Sequence, residues 1–343
     1  MKNFKLLIIG STATWAIDQI YFKYFKEIGI ETYLFEEHSK FTDYYEQSII
    51  NKVLFRTGLS SFIKKLQRQL IEYTDRLKPD VILVFKGMEI LPETLKHLKS
   101  KNIFLVNYNP DNPFIFSGKG SGNKNITDSV ALYDLHLTYN FEVQSQISAQ
   151  FNIPAEIVPF GFDLGNEEYE MLGNEPEILK TCFIGNPDKH RAEFIEKISS
   201  EIPIDIYGNN WVKFIKGKNI TIFPVQYGNE CWKTLRRYRV QLNLMRIHNL
   251  DSHNMRTFEI PAAGGIMLAP KTHDHRLYFE DGKEVFLFED INECKFKAKM
   301  LLELSQENAQ KIRKAARERS FKSGYSYQSR AKYVLGLINK LKN

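Results

Sequence analysis

Arg256 and Glu259 stand three residues apart in DSHNMRTFEIPAAGGIMLAP, residues 251–270, a spacing that puts both side chains on one face of a helix. A guanidinium binds an anion such as a diphosphate through paired N–H groups, and a carboxylate accepts hydrogen bonds from two neighbouring hydroxyls, as on a ribose. The plainer reading is an exposed ion pair worth about 0.2–1 kcal/mol. Pro261 and the small run Ala262, Ala263, Gly264, Gly265 would let the helix end close against a sheet.

Other groups with chemistry in them follow apolar runs. GSTATW (10–15) offers a tight turn at Gly10 and hydroxyls at Ser11, Thr12 and Thr14, but a single glycine is not a dinucleotide fingerprint, even with Glu31 downstream. NPDNPF (109–114) holds Asn109, Asp111 and Asn112 between prolines, either as an ordinary turn or as a stiff acidic loop. SGKGSGNKN (117–125) lacks phosphate-loop spacing and reads as a flexible loop. FIGNPDKHR (183–191) puts Gly185 and Asn186 after a strand and Arg191 in the next helix, suited to an anion or simply to a turn and a surface arginine. In IYGNNW (206–211), Tyr207 is a candidate to stack on a base, with Gly208 and Asn209 as the turn. His136 sits inside an apparent strand and reads first as a core histidine. The HDH run at 273–275 reads as a loop with two ordinary histidines rather than a metal site, and no D-x-D, H-E-x-x-H or Ser-His-Asp pattern occurs.

The elements that would position these loops alternate along the chain. KLLIIG, ETYLFEE, PDVILVF, NIFLVNYN, LHLTYN and AEIVPFGFD are strand-like, separated by helical patterns, and the rhythm resumes at KTCFIGN, IDIYGNN, ITIFP, VQLNLMR, GIMLAP and EVFLFED. Continuous apolar strands between helices imply parallel sheets covered on both faces. The 343 residues suit two such domains, set at 1–165 and 166–322, with an acidic link over 165–180 and a basic helix at 323–343 that returns to the first domain. The architecture expected is α/β, two Rossmann-like domains facing across a cleft. A net charge of +6 without a dense basic block fits anionic ligands and argues against a nucleic-acid partner. Cys182, Cys231 and Cys294 are odd in number and without a C-x-x-C, as in a reducing, cytoplasmic compartment. The opening MKNFKLLIIGSTATW is read as a first strand rather than a leader.

Asp251 and Glu259 are separated by seven residues, which resembles the E-x7-E motif of retaining glycosyltransferases of the GT-B fold, with Asp in the first place. RTFEIPAAGGIML with FEDGKEVFLFED, and more loosely FIGN, IYGNNW, NPDNPF and VPFGFD, resemble the CgeB-like glycosyltransferases (group 1 type 2). The resemblance implies an enzyme that moves a sugar from a nucleotide-sugar donor to a glycan, lipid-linked or protein acceptor in bacterial surface polysaccharide or glycoconjugate synthesis, with retention. It implies no cofactor and no metal. Glu259 would hold the ribose and Arg256 the diphosphate. Asp251, His253 and Asn254 would lie on the sugar side, although Asp251 also suits a helix N-cap. Gly185, Asn186, Arg191, Tyr207, Gly208, Asn209, Gly264 and Gly265 would surround the donor. Gly10, Ser11, Thr12, Asn109 and Asn112 would face the acceptor, and an inverting enzyme would take Asp111 as its base. Two alternatives stay open: a non-catalytic binding or structural protein on the same fold, and a nucleotide-sugar epimerase. The basic helix with Lys332, Lys340 and Lys342 is either a solvated face or a peripheral contact with the inner face of an anionic membrane.

Overall fold

A computed structural model describes residues 4–342 except 14, 58, 117–120, 173–175 and 247–250. Its packing divides the chain into two units, Met1–Pro159 with Tyr327–Asn343, and Phe160–Ser326.

In the first unit the chain runs β1 (Lys5–Ile9), α1 (Ile17–Glu27), β2 (Glu31–Phe35), α2 (Glu37–Gln47), α3 (Ile49–Arg56), α4 (Phe62–Leu77), β3 (Val81–Phe85) and α5 (Pro92–Lys99). It continues through β4 (Phe104–Tyr108), α6 (Lys124–Ser129), β5 (Leu135–Thr138), α7 (Phe141–Phe151) and β6 (Ala155–Ile157). The strands form a parallel sheet in the order β2-β1-β3-β4-β5-β6. KLLII and VILVF are apolar at every second residue on both sides, so they take the middle of the sheet. Leu6, Ile8, Val81 and Leu83 pack one way, against Tyr21 and Phe25 of α1. Leu7, Ile9, Ile82 and Val84 pack the other way, against Leu66 and Leu70 of α4 and Leu95 and Leu98 of α5.

The second unit runs α8 (Asn166–Met171), β7 (Ile178–Ile184), α9 (Lys189–Ser199), β8 (Ile204–Tyr207), β9 (Ile220–Phe223), α10 (Gly228–Arg237) and β10 (Tyr238–Leu242). Then come α11 (Met255–Ala262), β11 (Met267–Pro270), α12 (His273–Tyr278), β12 (Phe286–Phe288), α13 (Ile291–Leu302) and α14 (Gln306–Lys322). Its sheet is parallel, ordered β12-β11-β10-β7-β8-β9. Phe183, Ile204, Ile206, Val240, Leu242 and Leu268 form one face with α9 and α13. The last helix, α15 (Tyr327–Lys342), belongs to the first unit, where Tyr327, Ala331, Val334, Leu335 and Ile338 enter the core beside α1.

Each apolar run expected to be a strand is one. The stretch 165–180 is no bare link, because it holds α8 and the start of β7. Tyr169 in it lies under the guanidinium groups of Arg236 and Arg317, 4.2 and 3.4 Å from its ring centre. Thr14, residues 117–120 of the expected flexible loop and residues 173–175 of the expected link lie outside the described residues. In each sheet the order reverses once, between β1 and β3 and between β7 and β10. Loops leaving adjacent strands there turn to opposite faces and open a crevice at the strands' carboxyl ends.

Candidate functional site

In the second unit that crevice is framed by the turn after β7 and by the start of α11. The start of α11 is fixed by its cap. The Asn254 Oδ1 accepts the amide of Thr257 at 3.2 Å, and Thr257 Oγ1 accepts the amide of Asn254 at 3.3 Å, a reciprocal capping box. Beneath the cap, Asn254 Nδ2 donates to Asn243 Oδ1 (2.8 Å) and Asn243 Nδ2 donates to Thr257 Oγ1 (3.1 Å). His275 Nε2 lies 3.0 Å from the same hydroxyl, and its Nδ1 donates to the carbonyl of Pro270 at 2.7 Å. Burial pushes the His275 imidazole down to about 4, so it is neutral near pH 7. The network ties β10, α11, β11 and α12 into one rigid corner.

Arg256 and Glu259 project from that corner. Their side chains form an ion pair and are 28% and 9% exposed, so neither points into bulk water. Arg256 Nε also approaches the carbonyl of Ile184, the last residue of β7, at 3.4 Å. The guanidinium therefore stands beside Gly185 and Asn186. Burial opposes its charge, but the carboxylate of Glu259 outweighs that and holds its pKa above the ordinary arginine value. A cation at a helix N-terminus facing a switch point is an arrangement for an anion, because the helix dipole adds to its charge.

The structure corrects several expectations here. Arg191 is spent on the fold: its guanidinium donates to the carbonyls of Asn186 (3.2 Å) and Leu244 (2.8 Å), and burial lowers its pKa to about 10. Tyr207 stacks on Phe223 with centroids 4.8 Å apart, and its hydroxyl meets that of Tyr238 at 3.1 Å, so its ring already has a partner. His253 is buried among Phe160, Phe258 and Tyr278, its Nδ1 donating to Asp274 at 2.6 Å and its Nε2 accepting the Phe160 amide at 3.3 Å. Both ring nitrogens are engaged, leaving neither for a sugar. Asp251 is exposed and accepts the His273 amide at 2.7 Å; the cap of α11 is Asn254 instead. Gly264 and Gly265 precede β11 and so lie at the opposite, amino-terminal edge of the sheet, away from Arg256. There Gly264 lines a cavity of about 520 Å³ with Glu177, Lys233, Arg236 and Arg313. Despite its size, that cavity has its main arginines committed, Arg313 to the carbonyls of Arg236 and Gly264 (both 2.6 Å) and Arg236 to that of Tyr169 (2.9 Å). Gly185 and Gly208 do come together: the Gly185 amide donates to Tyr207 O at 3.0 Å, and the Trp211 indole donates to Gly185 O at 2.8 Å. Asn209 is exposed beside them.

The first unit has its own crevice, a cavity of about 290 Å³ lined by Gly10, Ser11, Asp18, Glu37, His38 and Glu89, with Lys86 at its side. The Asp18 carboxylate takes the Ser11 amide and occupies the space a side chain at Gly10 would need. Thr12 is held by Ser39 Oγ, to which its amide and hydroxyl both donate at 2.8 Å. Burial, then the Glu89 charge, pushes the Glu37 carboxyl well above its usual range, and the bond to Glu89 raises the His38 imidazole. Sequence reasoning missed Asp18, Glu37, His38 and Glu89 because two helices and the turn after β3 bring them together. Asn109 Oδ1 accepts the Asp111 amide at 3.0 Å, Asn112 Oδ1 accepts that of Phe114 at 2.8 Å, and Asp111 Oδ2 pairs with Lys86 Nζ at 2.6 Å. Lys86 and Gly87 both have left-handed backbones, with φ of 63° and 89°, which turns Lys86 toward Asp111. His136 is a core residue, bonded to the carbonyl of Val130 at 2.8 Å. The cysteines are buried free thiols. Among the described residues no group of three or more His, Cys, Asp or Glu is placed to hold a metal ion.

Residues 190–336 match the family model described as glycosyl transferase-like. No curated protein matches the chain. Among solved structures the chain is similar to a sucrose-phosphate synthase from Thermosynechococcus elongatus, with a TM-score of 0.69, 12% identity and 99% of each chain covered. It is also similar to HepE of Anabaena in complex with UDP-glucose, with a TM-score of 0.66 and 10% identity over 98% of this chain and 100% of that one. A protein assigned as a UDP-N-acetylglucosamine 2-epimerase from Listeria monocytogenes aligns with a TM-score of 0.58 and 13% identity over 98% of this chain and 96% of that one. At these identities the likeness is one of fold, two Rossmann-like units of the GT-B type. The family match adds a glycosyl transferase-like signature over residues 190–336.

Proposed function

From a glycosyltransferase-like match on a GT-B fold, we propose that the second unit binds the donor at the start of α11, with Arg256 on the diphosphate and Glu259 on the ribose. The observation that carries this reading is the half-buried Arg256–Glu259 pair beside the end of β7, at the point where the strand order reverses. When the glycosidic bond breaks, negative charge grows on the departing diphosphate. A fixed guanidinium and a helix N-terminus stabilise that charge without reorganising. Gly185, Asn186 and Asn209 border the same crevice. A uridine donor is the first choice, because HepE, which shares the fold, holds UDP-glucose.

The reaction is read as retaining and metal-independent, within the CgeB-like group, on a glycan, lipid-linked or protein acceptor of bacterial surface polysaccharide. The retaining reading rests on the Asp251–Glu259 spacing, and Asp111, whose Oδ2 pairs with Lys86, is the base only if the enzyme inverts. The cavity lined by Ser11, Glu37, His38 and Glu89 is assigned to the acceptor.

A thermal-shift titration with UDP, GDP, dTDP and CMP tests the donor site, because a ligand that binds only the folded state raises the midpoint. Arg256→Ala and Glu259→Ala are each expected to weaken binding by about 10- to 100-fold, the loss of a charge-assisted hydrogen bond of roughly 1.5–3 kcal/mol. Unchanged affinity in both variants would remove this assignment. Near-normal turnover in Asp111→Asn fits retention, whereas its loss with donor binding intact makes Asp111 the base of an inverting enzyme. An epimerised sugar formed without acceptor would replace transfer altogether.

A further inference from the structure

The segment 48–68 carries five cations, Lys52, Arg56, Lys64, Lys65 and Arg68, and no aspartate or glutamate. It also carries four large apolar side chains open to water: Ile49 is 79% exposed, Ile50 70%, Val53 52% and Leu59 75%. Neither fact follows from the donor site, and neither is a need of the fold.

The geometry of α3 separates the two faces. Phe55 turns inward and packs on Phe41 and Tyr45 of α2, with centroids 4.9 and 5.7 Å away. Ile49, Ile50 and Val53 fall on the opposite side of the helix, at the spacing i, i+1, i+4. Arg56, one turn beyond Val53, is turned back instead: its Nε donates to the Tyr45 hydroxyl of α2 at 3.1 Å. The acidic groups of α2 nearby are Asp43 and Glu46, and Glu46 is held by Lys52. The start of α4 is fastened to the same support, because Phe62 stacks on Tyr44 at 4.2 Å. This leaves Lys64, Lys65 and Arg68 exposed next along the chain.

We infer that α3 and the start of α4 form a peripheral membrane-docking surface for an anionic lipid bilayer. Ile49, Ile50, Val53 and Leu59 would enter the acyl boundary while Lys64, Lys65 and Arg68 meet the headgroup phosphates. The composition separates this occupant from a protein partner. Protein interfaces concentrate exposed aromatics and are poor in lysine, whereas this surface presents aliphatic side chains ringed by lysine and arginine, the pattern of an interfacial helix. A second copy of the chain would set these cations against each other. The surface is distinct from the basic C-terminal residues Lys332, Lys340 and Lys342, and it does not depend on the donor assignment. Among the described residues no helix is long and apolar enough to cross a membrane, so the contact is peripheral.

The test is co-sedimentation of the full chain with vesicles of phosphatidylcholine and phosphatidylglycerol in about a 3:2 ratio, against phosphatidylcholine alone. The wild type is expected to sediment with the anionic vesicles only, and raised salt should release it. Ile49→Ser/Ile50→Ser/Val53→Ser and, separately, Lys64→Gln/Lys65→Gln/Arg68→Gln should each weaken binding by about tenfold or more. Lys340→Gln/Lys342→Gln should leave it unchanged. All these side chains are on the surface, so a native melting profile will show that the fold is intact. No binding by the wild type, binding indifferent to both sets of variants, or a wild-type dimer that the α3 variant dissociates would each overturn the inference.

Discussion

At the scale of single residues, the donor corner depends on charges and hydrogen bonds that the fold itself makes. Glu259 is the named ion-pair partner of Arg256, so Glu259→Gln, which keeps shape and an acceptor, is a gentler probe than alanine. His275 offers a separate test. An imidazole in an unfolded chain takes its proton near pH 6.5, whereas buried His275 takes one only near pH 4, as does His136. Between those values the unfolded state holds the extra proton, so stability falls as pH drops through the window and is independent of these groups above it. Each histidine contributes a slope of about 1.4 kcal/mol per pH unit inside the window. His275→Gln should lower stability at pH 7 by disturbing Thr257 and Pro270. Yet its loss on going from pH 7 to pH 5, read from urea midpoints, should be smaller than in the wild type. An equal loss in both proteins would assign the acid sensitivity elsewhere.

The elements show what was legible in the amino-acid order and what was not. Strands were, because runs such as VILVF and KLLII are apolar on both faces and leave a parallel sheet as their natural place. Arg256 and Glu259 were legible as a pair, because a helical spacing of three needs no tertiary knowledge. Their support was not: Asn243, Thr257, Asp274 and His275 come from three elements and meet only once β10, α11 and α12 are packed. Tyr207 misled for the same reason, since Phe223 reaches its ring from the neighbouring strand β9. Arg191 misled because an arginine that braces carbonyls and one that awaits a phosphate have the same sequence. The helices over 37–56 lacked a strong apolar stripe, and α3 has no buried residue at all. Gly208 carries the element-scale prediction. A side chain there would run into the Gly185 carbonyl and come within 2.8 Å of the Trp211 indole nitrogen. Gly208→Ala must therefore part the turns after β7 and β8, at a cost of about 1–3 kcal/mol. Chemical denaturation should show that loss together with weaker nucleotide binding. A variant as stable as the wild type would mean the two turns tolerate separation.

For the whole molecule, the connection that matters most is the last one. The chain completes the second unit at Ser326 and then builds α15 into the first. Tyr327, Val334, Leu335 and Ile338 are buried there with Ala331, and Tyr327 meets Tyr21 edge-on at 5.8 Å between centroids. Burying a large apolar side chain is worth about 1.5–3 kcal/mol. Removing four of them therefore forfeits an amount comparable with the entire stability of a domain, about 5–15 kcal/mol. Truncation after Ser326 removes no residue of the second unit. Hydrogen exchange on the truncated chain is thus expected to show β1, β3 and β4 stripped of protection while β7, β8 and β10 keep theirs, since protection follows local opening free energy. Full protection of β1 and β3 would show that α1 alone can seal that face of the sheet. In that case α15 is an accessory to the first unit rather than part of its core.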